Sequence, residues 1–140
     1  MARPTSFRLP EHLLERLEEE GRARGTSITS LVAALLDEGL KTSRFPGLVY
    51  RDGPAGRRAG LVGGPDIWEI IRDLHHAPGR GMQRIEHVAT ETGVPMDRLL
   101  LATDFYAGHP EEIDALIDAD ERATQQARRL IEKREDLLSR

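Results

Sequence analysis

Hydrogen-bonding side chains near the N-terminus are the residues of this sequence whose spacing best suits molecular recognition. Ser6 and Arg8 alternate with the apolar Phe7 and Leu9 within residues 5–9. Because successive side chains of a β-strand point to opposite faces, a strand here buries Phe7 and Leu9 and presents Ser6 and Arg8. An outward arginine can bind a guanine edge with two hydrogen bonds, and serine can bond either donor or acceptor edges. The alternative is an ordinary edge strand whose polar side chains are only solvated.

Two amphipathic helices are predicted to follow this strand and to position it. Leucine recurs at helical spacing at positions 13, 14 and 17, Gly25 ends that helix, and a second apolar stripe runs to Leu40. One strand of roughly six residues with two short helices is too small to bury a core alone, so we expect a dimer. The predicted dimer core comprises Phe7, Leu9, Leu13, Leu17, Ile28, Val32, Leu35 and Leu36.

The start of the second helix is predicted to bind phosphate. Thr26 and Ser27 are typical residues for capping a helix, and Thr29 adds a third hydroxyl. Free backbone N–H groups and the positive end of the helix dipole favour an anion at this point.

The run from Ser6 to Leu17, followed by Gly25 to Val32, resembles ribbon-helix-helix proteins of the Arc, MetJ and CopG type. The resemblance implies a two-stranded ribbon, formed by two copies, that enters the DNA major groove. Base reading then falls on Ser6 and Arg8 with Arg3 at the ribbon end, and backbone anchoring falls on Thr26, Ser27 and Thr29.

Two residues depart from that pattern. Gly21 replaces a small helix-forming residue and is expected to weaken the first helix by about 1 kcal/mol relative to alanine. Pro4 lacks a backbone donor, so the ribbon is expected to begin after it.

Composition and charge restrict the function classes. Among 140 residues, 20 are basic, 24 are acidic and none is cysteine, which excludes a disulfide framework and a thiolate metal site. No stretch has the length and apolar character of a membrane span, no signal-peptide pattern is present, and the expected compartment is the cytoplasm. Between Glu86 and Glu121 ten acidic residues accompany Arg98 alone, so DNA contact is expected at the N-terminus.

Residues 45–108 are predicted to form a second domain. Apolar runs on either side of residues 52–56 indicate a β-hairpin, whose Arg51, Arg57 and Arg58 could touch DNA or an acidic partner, or form a solvated rim. A helix opening near Asp66 follows. Residues 85–99 then resemble a helix-turn-helix, interpreted either as a second DNA reader or as a helical core.

Residues 109–140 are predicted to form one long helix, because no glycine or proline follows Pro110. It is acidic through Glu121 and mainly basic afterwards. This polarity suits antiparallel pairing with another copy or docking into a partner groove, added phosphate contacts from the basic end, or simply solvated ends.

Residues 45–121 also resemble a small domain of VapB-like antitoxins. The similar parts are the Phe45-Pro46-Gly47 turn, the helix start at residues 63–68, the helix-turn-helix and residues 105–113. The resemblance implies a PIN-like toxin nuclease as a partner and assigns no toxin-binding residue.

No nucleophile–base pair, phosphate loop or metal-ligand cluster appears, so no catalytic residue, metal or cofactor is expected. The predicted fold is mainly α, with an N-terminal ribbon-helix-helix unit (residues 1–44) and a C-terminal helical domain. The leading hypothesis is a dimeric, sequence-specific repressor that acts as an antitoxin and regulates its own operon. The alternatives are a stand-alone transcriptional regulator or architectural DNA-binding protein that oligomerises through its C-terminal domain, and an interaction protein that does not bind DNA.

Overall fold

A computed structural model describes residues 1–54 and 56–140, and over these residues the chain is mainly helical, as expected. This part of the chain forms six helices and one two-stranded antiparallel sheet. The elements are α1 (Glu11–Arg24), α2 (Ile28–Arg44), β1 (Leu48–Gly53), β2 (Gly56–Leu61), α3 (Ile67–His76), α4 (Met82–Thr92), α5 (Met96–Gly108) and α6 (Pro110–Leu138). The chain divides into two compact units, residues 1–44 (unit 1) and residues 45–140 (unit 2).

Residues 1–10 lack regular secondary structure, so the strand predicted over residues 5–9 is wrong for the single chain. A strand needs a neighbour for its N–H and C=O groups, and no described residue of unit 1 supplies one. Phe7, expected to be buried, is 76% exposed, and Leu9 is 38% exposed.

A Schellman motif joins α1 to α2 and explains the glycines near it. Gly25 has φ +65°, its N–H bonds to the Arg22 carbonyl at 3.3 Å, and the Thr26 N–H bonds to the Gly21 carbonyl at 3.0 Å. Gly21 is buried, and a Cβ added there would lie 3.2 Å from the Thr26 carbonyl oxygen. The residue expected only to weaken α1 therefore gives the following turn room to pack closely.

Unit 2 is built around one apolar core. The hairpin β1–β2 and the two helices predicted on either side of Gly93 are present, and Gly93 has φ +76° at the turn. Helices α3, α5 and α6 pack against one another, and Phe105 of α5 is fully buried in the core. The core residues are Leu48, Ala59, Leu61, Ile67, Ile70, Ile71, Leu74, Ala77, Ile85, Val88, Leu99, Ala102, Phe105, Ile113 and Ile117.

One buried carboxylate ties the hairpin to α3. The register places Arg51 directly opposite Arg58, and like charges at such a position repel. Asp66, only 4% exposed, binds both: its Oδ1 accepts from Arg51 Nη1 at 2.8 Å, and its Oδ2 accepts from Arg58 Nε. Arg51 Nη2 also donates to the carbonyls of Leu61 and Gly64. The predicted basic cluster is therefore largely an internal ion-pair network.

Helix α6 changes environment along its length. Ile113 and Ile117 lie in the core of unit 2, and Tyr106 Oη donates to Asp114 Oδ1 at 2.7 Å. Every residue from 121 to 140 is exposed. The segment predicted as a separate helix over residues 109–140 thus contributes its first turns to the core.

Replacing Asp66 with alanine is expected to destabilise unit 2 by about 2–4 kcal/mol, because it leaves two partly buried guanidinium groups without their carboxylate. Urea denaturation followed by Trp68 fluorescence measures this change. Asp52→Ala is the matched control, since Asp52 is 86% exposed in its pair with Arg57. Equal stability losses in both variants would contradict the assignment.

Stability is expected to fall as pH rises above 10, because hydrogen bonding to Asp114, followed by burial, raises the pKa of Tyr106 above its ordinary 10.0. A raised pKa means that the folded state holds this proton more tightly. Its stabilising contribution is complete below pH 10 and disappears as pH rises through the folded-state pKa. Denaturation midpoints at pH 9 and pH 11 should therefore differ more in the wild type than in Tyr106→Phe, and equal differences would count against it.

Candidate nucleic-acid interface

The predicted base-reading residues lie together in the N-terminal segment before α1. Arg3, Ser6 and Arg8 are all exposed. Helix α1 begins immediately after Pro10, whose carbonyl accepts the N–H groups of Leu13 and Leu14 at 3.0 and 3.1 Å. The segment is thus attached directly to a helix start and is accessible to a partner.

The start of α2 is capped by a serine side chain. Ser27 Oγ accepts the Ser30 N–H at 3.1 Å, and the Ser27 carbonyl accepts the Leu31 N–H at 2.9 Å. Within the described chain this leaves the N–H groups of Ile28 and Thr29 without an acceptor. The predicted anchor therefore divides its roles: Ser27 stabilises the helix end, and Thr29 is available to a ligand.

Arg22 belongs to the same surface, although the sequence alone did not predict it. It lines an open hollow of about 440 Å³ together with Glu18, Thr26 and Ser27. Its place three residues before Gly25 was the available signal, because the Schellman turn brings the last turn of α1 beside the start of α2. A cation and two open amides then share one surface.

The predicted dimer-core residues are mostly exposed in the single chain. Leu17 and Leu31 are buried, at 9% and 2% exposure, and Leu13 and Val32 are half-buried. The exposed members of the predicted set are Phe7, Leu9, Ile28, Leu35 and Leu36, at 36–76%. Unit 1 therefore presents an apolar surface larger than the one it covers by itself.

The helix-turn-helix of unit 2 presents few groups suited to DNA. Arg98, the candidate reader on α5, donates Nη2 to the Val62 carbonyl. Asp97 and Asp104 are exposed on the same helix and would repel phosphate. This geometry favours the helical-core interpretation over a second reading head.

Metal-binding and membrane-spanning features are both absent from the described residues. Within residues 1–54 and 56–140, no group of three His, Asp or Glu side chains is arranged to hold a metal ion. In the same part of the chain, none of the helices combines the length and the apolar character that a membrane span requires.

Comparisons of the chain with protein-family models, with curated proteins and with solved structures give no match.

The Ser27→Ala substitution is expected to destabilise unit 1 by about 1 kcal/mol, because it removes the side-chain acceptor of the Ser30 N–H. Far-UV circular dichroism during thermal unfolding measures the change. Thr29→Ala is the control, since the Thr29 hydroxyl makes no hydrogen bond within the described chain. If both variants are destabilised equally, Ser27 is not the cap.

Proposed function

We propose that the protein is a dimeric, sequence-specific DNA-binding repressor that reads the major groove with residues 5–9 of two copies. The observation that carries the proposal is the exposed N-terminal segment beside an exposed apolar helix surface, both within a 44-residue unit. A second copy supplies at once the missing strand neighbour and the missing apolar cover.

In the proposed dimer, the two segments pair as an antiparallel ribbon. The alternation of side chains turns Phe7 and Leu9 toward the helices and leaves Ser6 and Arg8 on the outer face. A two-stranded ribbon fits the major groove, where arginine binds guanine O6 and N7. Arg3 then lies at the ribbon end.

The start of α2 anchors the ribbon to the DNA backbone. The N–H groups of Ile28 and Thr29, with the Thr29 hydroxyl and the Arg22 guanidinium, face the anion. The acidic residues of unit 2 keep the remainder of the chain away from phosphate and direct binding to unit 1.

We also propose that the repressor is an antitoxin that works in the cytoplasm, without catalytic activity, and regulates its own operon. The support is the resemblance of residues 45–121 to VapB-like antitoxin domains. Co-expression with the product of the adjacent open reading frame tests this part: co-purification with a PIN-like nuclease supports it. A neighbour that does not bind favours a stand-alone regulator.

Arg8→Ala is expected to weaken specific DNA binding by about 10- to 200-fold, because one bidentate base contact contributes about 1–3 kcal/mol. Fluorescence anisotropy with a labelled duplex from immediately upstream of the coding sequence measures the affinity. Arg80→Ala removes the same charge from an exposed loop of unit 2 and should leave affinity unchanged.

Two further measurements separate the roles of the residues. Arg22→Ala should weaken binding to all duplexes alike and lower the slope of log affinity against log salt concentration by about one for each phosphate that Arg22 neutralises. Light scattering should give the same mass for Arg8→Ala and the wild type. Unchanged DNA affinity in Arg8→Ala would instead leave only a protein-interaction role for unit 1.

A further inference from the structure

The C-terminal half of α6 carries large apolar side chains that no described part of its own chain covers. Leu130 and Ile131 are 60% and 45% exposed, and Leu137 and Leu138 are 72% and 76% exposed. Beyond residue 120 the helix leaves the core of unit 2, and every residue to its end is exposed.

These side chains continue one face of the helix. At about 100° per residue, Ala127, Leu130, Ile131 and the leucines at 137 and 138 fall within roughly one third of the circumference. Gln125 lies on the opposite face. The apolar stripe is therefore wide enough to seat a second helix, and only Arg134 interrupts it.

We propose that this stripe pairs with the same stripe of a second copy in an antiparallel helix pair. In a parallel, in-register pair Arg134 would meet Arg134 at the centre of the contact, which is unfavourable. In an antiparallel pair with residue 127 opposite residue 138, Arg134 lies against Ile131 of the second copy. Its aliphatic stem covers that side chain while the guanidinium reaches solvent.

The same alignment matches side-chain size and charge. Ala127 lies opposite Leu138 of the second copy, so that a small side chain faces a large one. Arg128 and Glu135 flank the same edge of the stripe, and reversal of one helix brings each within about one turn of the other. The charge order along this helix is therefore complementary to its own reverse.

This pairing is independent of the proposed DNA function. If unit 1 dimerises, α6 joins two dimers into a tetramer; if unit 1 does not, α6 alone makes a dimer. In either case disruption of the stripe halves the mass, whereas DNA affinity of Arg8→Ala reports on unit 1.

Sedimentation velocity on the full chain tests the stripe. Leu130→Lys should halve the mass and raise the dissociation constant of the pairing by about tenfold or more. Gln125→Lys adds the same side chain to the opposite face and should keep the wild-type mass. Circular dichroism checks that both variants remain helical. An unchanged mass in folded Leu130→Lys would overturn the proposal.

Orientation is tested by disulfide formation, because the chain has no cysteine of its own. An oxidised mixture of Ala127→Cys and Leu138→Cys proteins should form the mixed disulfide, with little self-linking of either protein. Efficient self-linking of Leu138→Cys would show a parallel pair and would refute the antiparallel arrangement. Arg128→Glu and Glu135→Arg should each weaken the pairing, and the double exchange should restore it.

Discussion

A two-helix unit of 44 residues cannot cover the apolar side chains that it carries, and the organisation of unit 1 depends on this constraint. Leu17 and Leu31 are buried between α1 and α2, while Phe7, Ile28 and Leu36 remain exposed. The Schellman turn at Gly25 fixes the two helices relative to each other without any further core. A second copy is the simplest cover for this surface, and the proposed ribbon follows from the same association.

Unit 2 meets the opposite problem, because it has a core but concentrates arginine in its hairpin. Asp66 resolves the repulsion between Arg51 and Arg58 by accepting hydrogen bonds from both. Arg98 is similarly occupied by a backbone carbonyl. Because these cations bond within the unit and its α5 and α6 surfaces are acidic, unit 2 is better suited to contacts with protein than to contacts with phosphate.

Local signals predicted much of this fold. Glycine and proline positions and apolar spacing located the hairpin, the turn at Gly93 and the long C-terminal helix. The strand over residues 5–9 failed because its stability depends on a neighbour outside the single chain. The role of Asp66 was not predicted because it depends on hairpin register: only with Arg51 opposite Arg58 does the sequence require an acid between them. For the candidate site, the types of the N-terminal residues were informative, whereas the position of Arg22 required the geometry of the turn.

The division of the chain at residue 44 has a consequence for how such a protein can evolve. All proposed reading residues lie in residues 1–44, and every member of the main apolar core lies at residue 48 or later. A genetic exchange near this boundary would transfer a complete recognition specificity without repacking the other core. Lineages could therefore acquire new target sequences by recombination while they keep the same assembly surfaces.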